Sequence, residues 1–564
     1  METKYTQKIV AEKLEEFKQK QEAHLGISER ELAKQISIPR STLQHWQERR
    51  GNIDEDTDVV TFFTSPSGVV FLHRLMVAIH FVTSFLGTGG VRLVCTFLEL
   101  SGVSNFIASS YGTQRKTSKE MEKEICAFEK QEEKKLSAEM EAKKICIAED
   151  ETYHEKPCLV AIEPVSGYIL LEEYAEDRQA ETWNERLSEA IENKPIEVIQ
   201  STSDEGRGII SHVKNGIGAH HAPDVFHVQQ EISRAVSGSL AGKVRQAETQ
   251  VKASKQEVRK QEKKKEVYHS KKHGPGRPPS FDKRIEAAKE QEQEAAVNLA
   301  DVVETQEQAG KARRAVSQVY HPYNIETGNA QNAEEVDNKL NKAFEKLEAI
   351  AEKMQLRDST QKRIAKAKRV VVEMVATIAF YWLVVHAKIE ALELSEDVEQ
   401  VVMENLLPAY YLFTTAEKKK DADQRRQIQE KAEELMAIVH HEQSPIQQLS
   451  VEEKQIIDAV AWECVNVFQP SSSCVEGRNG QLALRHHALH RISDQKLNAL
   501  KVVHNFHLRR IDGTTAAERF FGREPGDLFS HLLNSMNLSG FPAKKRPYVK
   551  QKISLFTPEN YCLA

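Results

Sequence analysis

Cysteine, proline and glycine are all sparse in this chain of 564 residues, which contains 7, 17 and 25 of them respectively. The cysteines are scattered without a C-x-x-C pair or a histidine at zinc-site spacing, so we expect a reducing compartment and no structural zinc. The scarcity of glycine and proline favours helices over architectures built from many short strands. The first twenty residues are charged and lack the apolar core of a secretory signal, which favours a cytoplasmic location.

A large net charge is also missing, since lysine and arginine nearly balance the acids to give −6. A DNA-binding role would therefore depend on local basic patches. Two apolar segments, 69–86 and 370–387, approach the length of a membrane span but contain ionisable residues, so we predict buried core helices and no membrane partner. The length itself predicts three or more domains.

The N-terminal segment 1–55 has the pattern of a helix-turn-helix. Residues 28–36 have helical spacing with Leu32, Ala33 and Ile36 on one face, and a second helix begins after Pro39. The alternative is an ordinary helical hairpin. If the unit binds DNA, its second helix offers side chains of the types that contact grooves and phosphates: Arg40, Ser41, Thr42, Gln44, His45 and Arg49.

Segment 56–144 is predicted to be helical. Residues 90–104 have the pattern of another helix, turn and helix, which leaves open a second DNA-binding unit. The charged stretch 113–144 is typical of a connecting helix.

The pattern changes to strands after residue 144. We predict strands at 145–149, 158–164, 168–174 and 196–201, a turn at 165–167, a helix capped by Asp177, and a short strand at 223–227. The resulting order, β-β-β-α-β-α-β, is that of the RNase H-like fold. The expected fold class is therefore α+β or α/β, with a mixed-sheet core whose first part is 145–234.

Segment 235–464 is predicted to be a large all-helical insertion. Residues 243–272 contain eleven lysines and arginines against four glutamates, and the Gly/Pro break at 274–279 separates two long polar helices. This composition is typical of an antiparallel helical hairpin. Its charge indicates either a solvated face or a DNA contact, and Gly276-Arg277-Pro278 also matches the short core of a minor-groove AT-hook.

Three carboxylates stand at positions that suit a two-metal site. Asp150 and Asp204 follow the first and fourth predicted strands, and Glu476 begins a later basic helix. Two Mg²⁺ or Mn²⁺ ions held by such acids can flank one phosphodiester. The alternatives for single acids at these places are turn and helix-capping roles. Because Glu149 and Glu151 flank Asp150, a register shift of one residue also stays open.

Several motifs resemble those of DDE-type transposases of bacterial insertion sequences. The resemblance covers about 145–234 and 465–535, where a second part of the catalytic core would lie, followed by a tail at 536–564. The motifs are AEDE at 148–151, STSDEGRGI at 201–209, APDVFHV at 222–228, SCVEGRNGQ at 473–481 and the closing stretch DGTTAAERFFG at 512–522.

The resemblance implies an enzyme that cleaves its element's ends and transfers the strands to target DNA. It gives Asp150, Asp204 and Glu476 the roles of catalytic residues and ligands to two Mg²⁺ or Mn²⁺ ions. Asp224 and His227 would shape the site, and Arg478, Asn479 and Arg485 would contact DNA. Double-stranded DNA, a homo-oligomer assembled on it and a nucleoid-associated location in the cytoplasm follow as expectations.

The chain departs from the simplest such cores in the length of segment 205–475, which lies between the second and third acids. Large helical insertions at this point occur in some transposase superfamilies. The main alternative is a DNA-binding regulator or domesticated transposase without catalysis. A coiled-coil scaffold would explain 240–460 but not the strand-rich block.

Overall fold

A computed structural model describes residues 5–23, 26–204, 206–272, 274, 276–489 and 491–542. The chain forms two compact units, one from Met1–Glu139 with Gly480–Ala564 and the other from Met140–Asn479. The described residues are mainly helical and include one five-stranded sheet. The α+β expectation is therefore confirmed.

The N-terminal part of the first unit is entirely helical where it is described. Ser28 caps the second helix by accepting a hydrogen bond from the Glu31 backbone N–H at 3.3 Å. Leu32, Ala33 and Ile36 are buried together, as the sequence pattern predicts, in a small core shared with the neighbouring helices. The helices are α1 (Gln7–Ala23), α2 (Glu29–Gln35), α3 (Arg40–Gly51), α4 (Thr57–Thr64), α5 (Pro66–Phe81), α6 (Val91–Leu100) and α7 (Tyr111–Ala138).

The sheet lies in the second unit and has the order β3-β2-β1-β4-β5. Strands β1 to β3 are antiparallel neighbours, whereas β4 and β5 run parallel to β1. The predicted turn at 165–167 joins β2 to β3, with Gly167 at a φ of 76° that favours glycine. The strands are β1 (Lys143–Tyr153), β2 (Pro157–Glu163), β3 (Tyr168–Tyr174), β4 (Ile196–Ser203) and β5 (His220–Pro223).

Two details of the predicted core are wrong. The last strand ends at Pro223, and residues 225–227 are helical because Asp224 caps the next helix. The helix after β3 is capped at Gln179 rather than at Asp177, which lies two residues earlier and accepts the Gln179 backbone N–H at 3.0 Å.

The helices of the second unit are α8 (Ala180–Ile191), α9 (Arg207–Ser211), α10 (Val225–His269), α11 (Phe281–Val319), α12 (Ala333–Lys353), α13 (Asp358–Arg369), α14 (Val371–Glu390), α15 (Glu396–Val401), α16 (Leu407–Lys418), α17 (Ala422–His440), α18 (Val451–Val467) and α19 (Ser473–Leu489). Several of these helices, including α8, α14 and α18, pack onto the sheet. One hydrophobic core joins Cys146 of β1 to Val228, Tyr381 and Phe468, so the predicted boundaries at 234 and 464 do not separate compact units.

The C-terminal helices return to the first unit. They are α20 (Asp494–Phe506), α21 (Ala516–Phe521) and α22 (Leu528–Ser535). Phe506 of α20 meets Phe128 of α7 edge to face, with the ring centroids 5.7 Å apart. Segment 465–535 is therefore not one continuous part of the sheet-containing unit, because residues from Gly480 onward pack with the N-terminal helices. The predicted tail at 536–564 lies outside the described residues beyond 542.

Two helical stretches, Pro66–Leu86 and Asp358–Glu390, are long and apolar enough to cross a membrane, with mean hydropathies of 1.8 and 1.9. Core helices of soluble proteins pass the same test, so this is weak evidence. Leu72 and Met76 in the first stretch and Met374 and Ile378 in the second are fully buried. The interpretation of both as core helices stays a prediction.

Candidate active site

Asp150 and Asp204 lie at one edge of the sheet, because β1 and β4 are parallel. Ala148 pairs with Thr202, and each aspartate follows its member of that pair by two residues. Asp204 comes directly after β4, as predicted, whereas β1 continues past Asp150 to Tyr153. The expectation that Asp150 ends its strand is therefore wrong, because residues 150–153 keep pairing with β2.

Strand alternation distinguishes Asp150 from its neighbours Glu149 and Glu151, because adjacent side chains of a strand point to opposite faces of the sheet. Glu149 is fully buried and accepts hydrogen bonds from Ser201 Oγ and His212, whose Nε2 lies 3.2 Å away. Glu151 Oε1 accepts the Trp183 indole N–H at 3.2 Å. Both glutamates are thus committed to structural contacts, and Asp150 is the acid whose pKa the charge of Asp204 raises.

The Asp150 carboxylate accepts the Glu151 backbone N–H and the Asn479 side-chain amide, each at 2.8 Å. Burial, with a further contribution from the negative charge of Asp204, raises the pKa of Asp150 to about 6. An ionised Asp150 is therefore costly here, and a nearby cation would lower that cost.

Asp224 is held rigidly at the start of α10. Its Oδ1 accepts the Phe226 backbone N–H at 2.7 Å, and its Oδ2 accepts the Ser472 backbone N–H at 3.2 Å together with the Ser472 hydroxyl. Asp224 is thereby fixed both to its own helix and to the segment that leads into α19.

Glu476 lies in the first turn of α19 and approaches the start of α10. Its Oε1 is 3.5 Å from His227 Nε2, which is itself 4.0 Å from Asp224 Oδ2. One ligand atom from each of these three residues lies within 4.8 Å of the other two, as in a metal-binding group. Burial, followed by the charge of Asp224, raises the pKa of Glu476.

The predicted acids do not form one group of ligand atoms at this spacing. Asp150 neighbours Asp204, and Glu476 neighbours Asp224 and His227. Asn479 links the two sets, since it lies one helical turn after Glu476 on α19 and donates to Asp150. His227 links them as well, because a positive charge on its imidazole would lower the pKa of Asp150.

Two buried polar atoms bear on whether metal ions fit. His227 Nε2 and Asn479 Oδ1 are buried without a hydrogen-bond partner, which is costly unless another group satisfies them. They adjoin carboxylate oxygens, the ligands that Mg²⁺ and Mn²⁺ take. The donor set is therefore suited to divalent cations.

Arg478 and Arg485, which we expected to contact DNA, both make contacts within the protein. The Arg478 guanidinium is buried in a bidentate ion pair with Glu172 of β3, with Nε to Oε1 at 2.6 Å and Nη2 to Oε2 at 2.7 Å. Arg485 donates to the backbone carbonyls of Phe85 at 2.5 Å and Gly87 at 2.7 Å, within the first unit. Both arginines satisfy internal partners that the sequence pattern did not reveal.

The proposed recognition helix α3 lies in the first unit. Arg40 and Gln44 contact the Glu29 carboxylate, at 3.3 Å and 3.1 Å. Arg49 donates to the Pro542 carbonyl and lies 4.4 Å from the centre of the Phe541 ring, which gives it a packing role. Ser41 and His45 are exposed, and Thr42 is half-buried.

Sequence reasoning missed three of the groups that hold the site. Ser472 fixes Asp224, Glu172 fixes Arg478, and His212 fixes Glu149. Glu172 did carry a signal, because an acid inside the apolar strand YILLEEY requires a buried partner. Nothing in the sequence identified that partner, which is 306 positions away.

Comparison with known proteins gives one family, a family of unknown function (DUF6399), which matches residues 402–548. The match includes Glu476 and Asn479 but not Asp150 or Asp204. No curated protein matches the chain.

Proposed function

We propose that this chain is a DDE-type transposase with an RNase H-like catalytic core. The sheet order β3-β2-β1-β4-β5, with only β2 antiparallel to β1 and β4, supports the proposed core. In that fold one catalytic acid lies on the first strand and another at the end of the fourth. Asp150 lies within β1 and Asp204 directly follows β4, on neighbouring parallel strands.

The observation that carries the proposal is the hydrogen bond from Asn479 to Asp150 at 2.8 Å. It brings the helix of Glu476 to the sheet edge that holds both aspartates, although residues 205–475 lie between the second and third acids. Acids used only as turn or capping residues would not require this convergence.

The charges define what the site can do. A phosphodiester is anionic and would be repelled by carboxylates, unless cations neutralise them. Two bound Mg²⁺ or Mn²⁺ ions would supply activation of the attacking oxygen and stabilisation of the leaving oxygen. The protein's part is to hold Asp150, Asp204 and Glu476 as oxygen ligands in fixed positions, with Asn479 orienting Asp150. The partner is double-stranded DNA, bound at the element's ends through α3.

Replacement of Asp204 by alanine tests the proposal. It removes one carboxylate without opening a packed core, so we expect folding and DNA binding to persist while Mg²⁺-dependent cleavage and joining fall by about a thousandfold or more. The matched control is Glu197→Ala, which removes an exposed acid from β4, the strand that leads to Asp204.

Cleavage by Asp204→Ala at the rate of the unmodified protein would refute the active site. If the unmodified protein binds the element's ends but does not cleave them with Mg²⁺ or Mn²⁺, a DNA-binding regulator is the correct description.

A further inference from the structure

The trio of Asp224, His227 and Glu476 differs chemically from the aspartate pair beside it, because one of its three ligands is an imidazole. Asp224 and His227 stand three residues apart at the start of α10, so both side chains reach the same side of the helix. Glu476 approaches them from the first turn of α19. We propose that this trio is a binding site for a divalent transition-metal ion, selective for Mn²⁺ and its heavier neighbours over Mg²⁺.

The separations fit ligands that share one ion. His227 Nε2 lies 3.5 Å from Glu476 Oε1 and 4.0 Å from Asp224 Oδ2, and ligand atoms of all three residues lie within 4.8 Å of one another. Nitrogen and oxygen ligands that bind one ion at about 2.0–2.2 Å are about 3–4.4 Å apart. Small side-chain adjustments would therefore complete the site.

Hydrogen bonds from neighbouring groups hold Asp224 in place, as such bonds commonly hold the ligands of a metal ion. The Ser472 hydroxyl and backbone N–H and the Phe226 backbone N–H hold Asp224. These three hydrogen bonds leave one of the roughly four lone-pair sites of the carboxylate, on Oδ1, for an ion. His227 Nε2 is buried without a hydrogen-bond partner between the two carboxylates. A neutral imidazole would direct a lone pair from this nitrogen to an ion. The competing arrangement, an imidazolium paired with both carboxylates, would not bind metal through it.

The imidazole sets the selectivity. Mg²⁺ is a hard ion that prefers oxygen ligands and retains water, whereas imidazole suits later first-row ions. Asp150 and Asp204 offer oxygen ligands alone. The inference rests on the proposed function, because Glu476 belongs to both sets of ligands. Binding of metal to the trio is nevertheless measured in the absence of DNA, independently of DNA cleavage.

The test uses the full-length, metal-stripped protein and Mn²⁺ as the probe. Pulsed electron paramagnetic resonance should detect coupling between bound Mn²⁺ and an imidazole nitrogen, and calorimetry should give the affinity. We expect His227→Gln to abolish the nitrogen coupling and weaken Mn²⁺ binding by at least tenfold, with Mg²⁺ affinity within twofold of the unmodified protein. His441→Gln, at an exposed position, is the matched control.

A second variant, Glu476→Gln, keeps the side-chain volume and should also weaken Mn²⁺ binding by at least tenfold. Absence of nitrogen coupling in the unmodified protein, or unchanged Mn²⁺ affinity in His227→Gln, would overturn the site. The nitrogen signal should persist in Asp204→Ala. If it does while that variant still cleaves DNA, the transposase proposal fails and the metal site stands.

Discussion

The ion pair between Arg478 and Glu172 provides a sharp test of how α19 is held against the sheet. Arg478 is 5% exposed and the Glu172 side chain is fully buried, so neither charge has water to stabilise it if its partner is removed. Removal of one partner from such a pair costs about 3–5 kcal/mol, mainly because the other charge is left uncompensated. We therefore expect Arg478→Met and Glu172→Met each to lower the free energy of unfolding by that amount.

The double variant gives the decisive result. Replacement of both charges by apolar side chains of similar volume is often neutral or stabilising. Arg478→Met with Glu172→Met should therefore recover most of the loss, which gives a coupling energy of about 3 kcal/mol or more in a double-mutant cycle.

Denaturant unfolding gives the free energy of unfolding of the unmodified protein, the two single variants and the double variant. Hydrogen exchange in β3 follows the transition of the sheet-containing unit. If the unfolding free energies of both single variants are within about 1 kcal/mol of the value for the unmodified protein, the two side chains do not form the buried pair that the structure shows. A double variant no more stable than the single variants would refute the argument from uncompensated charge.

Three further predictions concern the ionisation of Asp150, DNA binding by α3 and the basic face of α10. Because the pKa of Asp150 is raised to about 6, its ionisation destabilises the folded state as pH rises from about 4 to 6. In metal-free buffer, Asp150→Asn should therefore add about 1–3 kcal/mol to the unfolding free energy at pH 7 and little at pH 4; equal gains at both would contradict the shift. If α3 recognises DNA as proposed, Ser41→Ala with His45→Ala should weaken binding to the element's ends by about 1 kcal/mol or more while leaving non-specific binding unchanged, as measured by fluorescence anisotropy on cognate and scrambled duplexes. Exposed Lys252, Lys255, Arg259 and Lys263 share one face of α10; changing all four to Gln should reduce the slope of log affinity against log salt by about 3–4 if they contact phosphates, whereas Lys→Arg changes at the three lysines should preserve it.

The sequence predicted the strands and α2–α3 well because their signals are local. Alternation and β-branched residues identified β1 to β4, and Ser28 and Pro39 marked where helices begin. The short strand near Asp224 was misplaced because a helix-capping aspartate and a strand-ending aspartate have the same local pattern. Only the bond from Asp224 to its own Phe226 N–H distinguishes them.

The sequence named candidate acids but not how the structure groups them. Asp150, Asp204 and Glu476 were recognisable from motifs, yet the grouping of Glu476 with Asp224 and His227 depends on contacts distant in sequence. The two arginines show the same limit. A basic residue beside a candidate active site is expected to contact phosphate, but Arg478 pairs with the buried Glu172 and Arg485 donates to the Phe85 backbone carbonyl, both distant in sequence.

The contacts between Asp224 and Ser472 form a clasp at the two ends of the helical insertion. The Val225 backbone N–H also donates to the Pro470 carbonyl at 3.0 Å, so the chain leaves and rejoins the sheet at nearly the same place. The position of Glu476 is consequently set by the clasp and not by how many residues the chain passes through in between. Because α10 alone is about 67 Å long, we expect changes at the far ends of α10 and α11, such as a shortening or a proteolytic nick, to leave the distance between the acids the same.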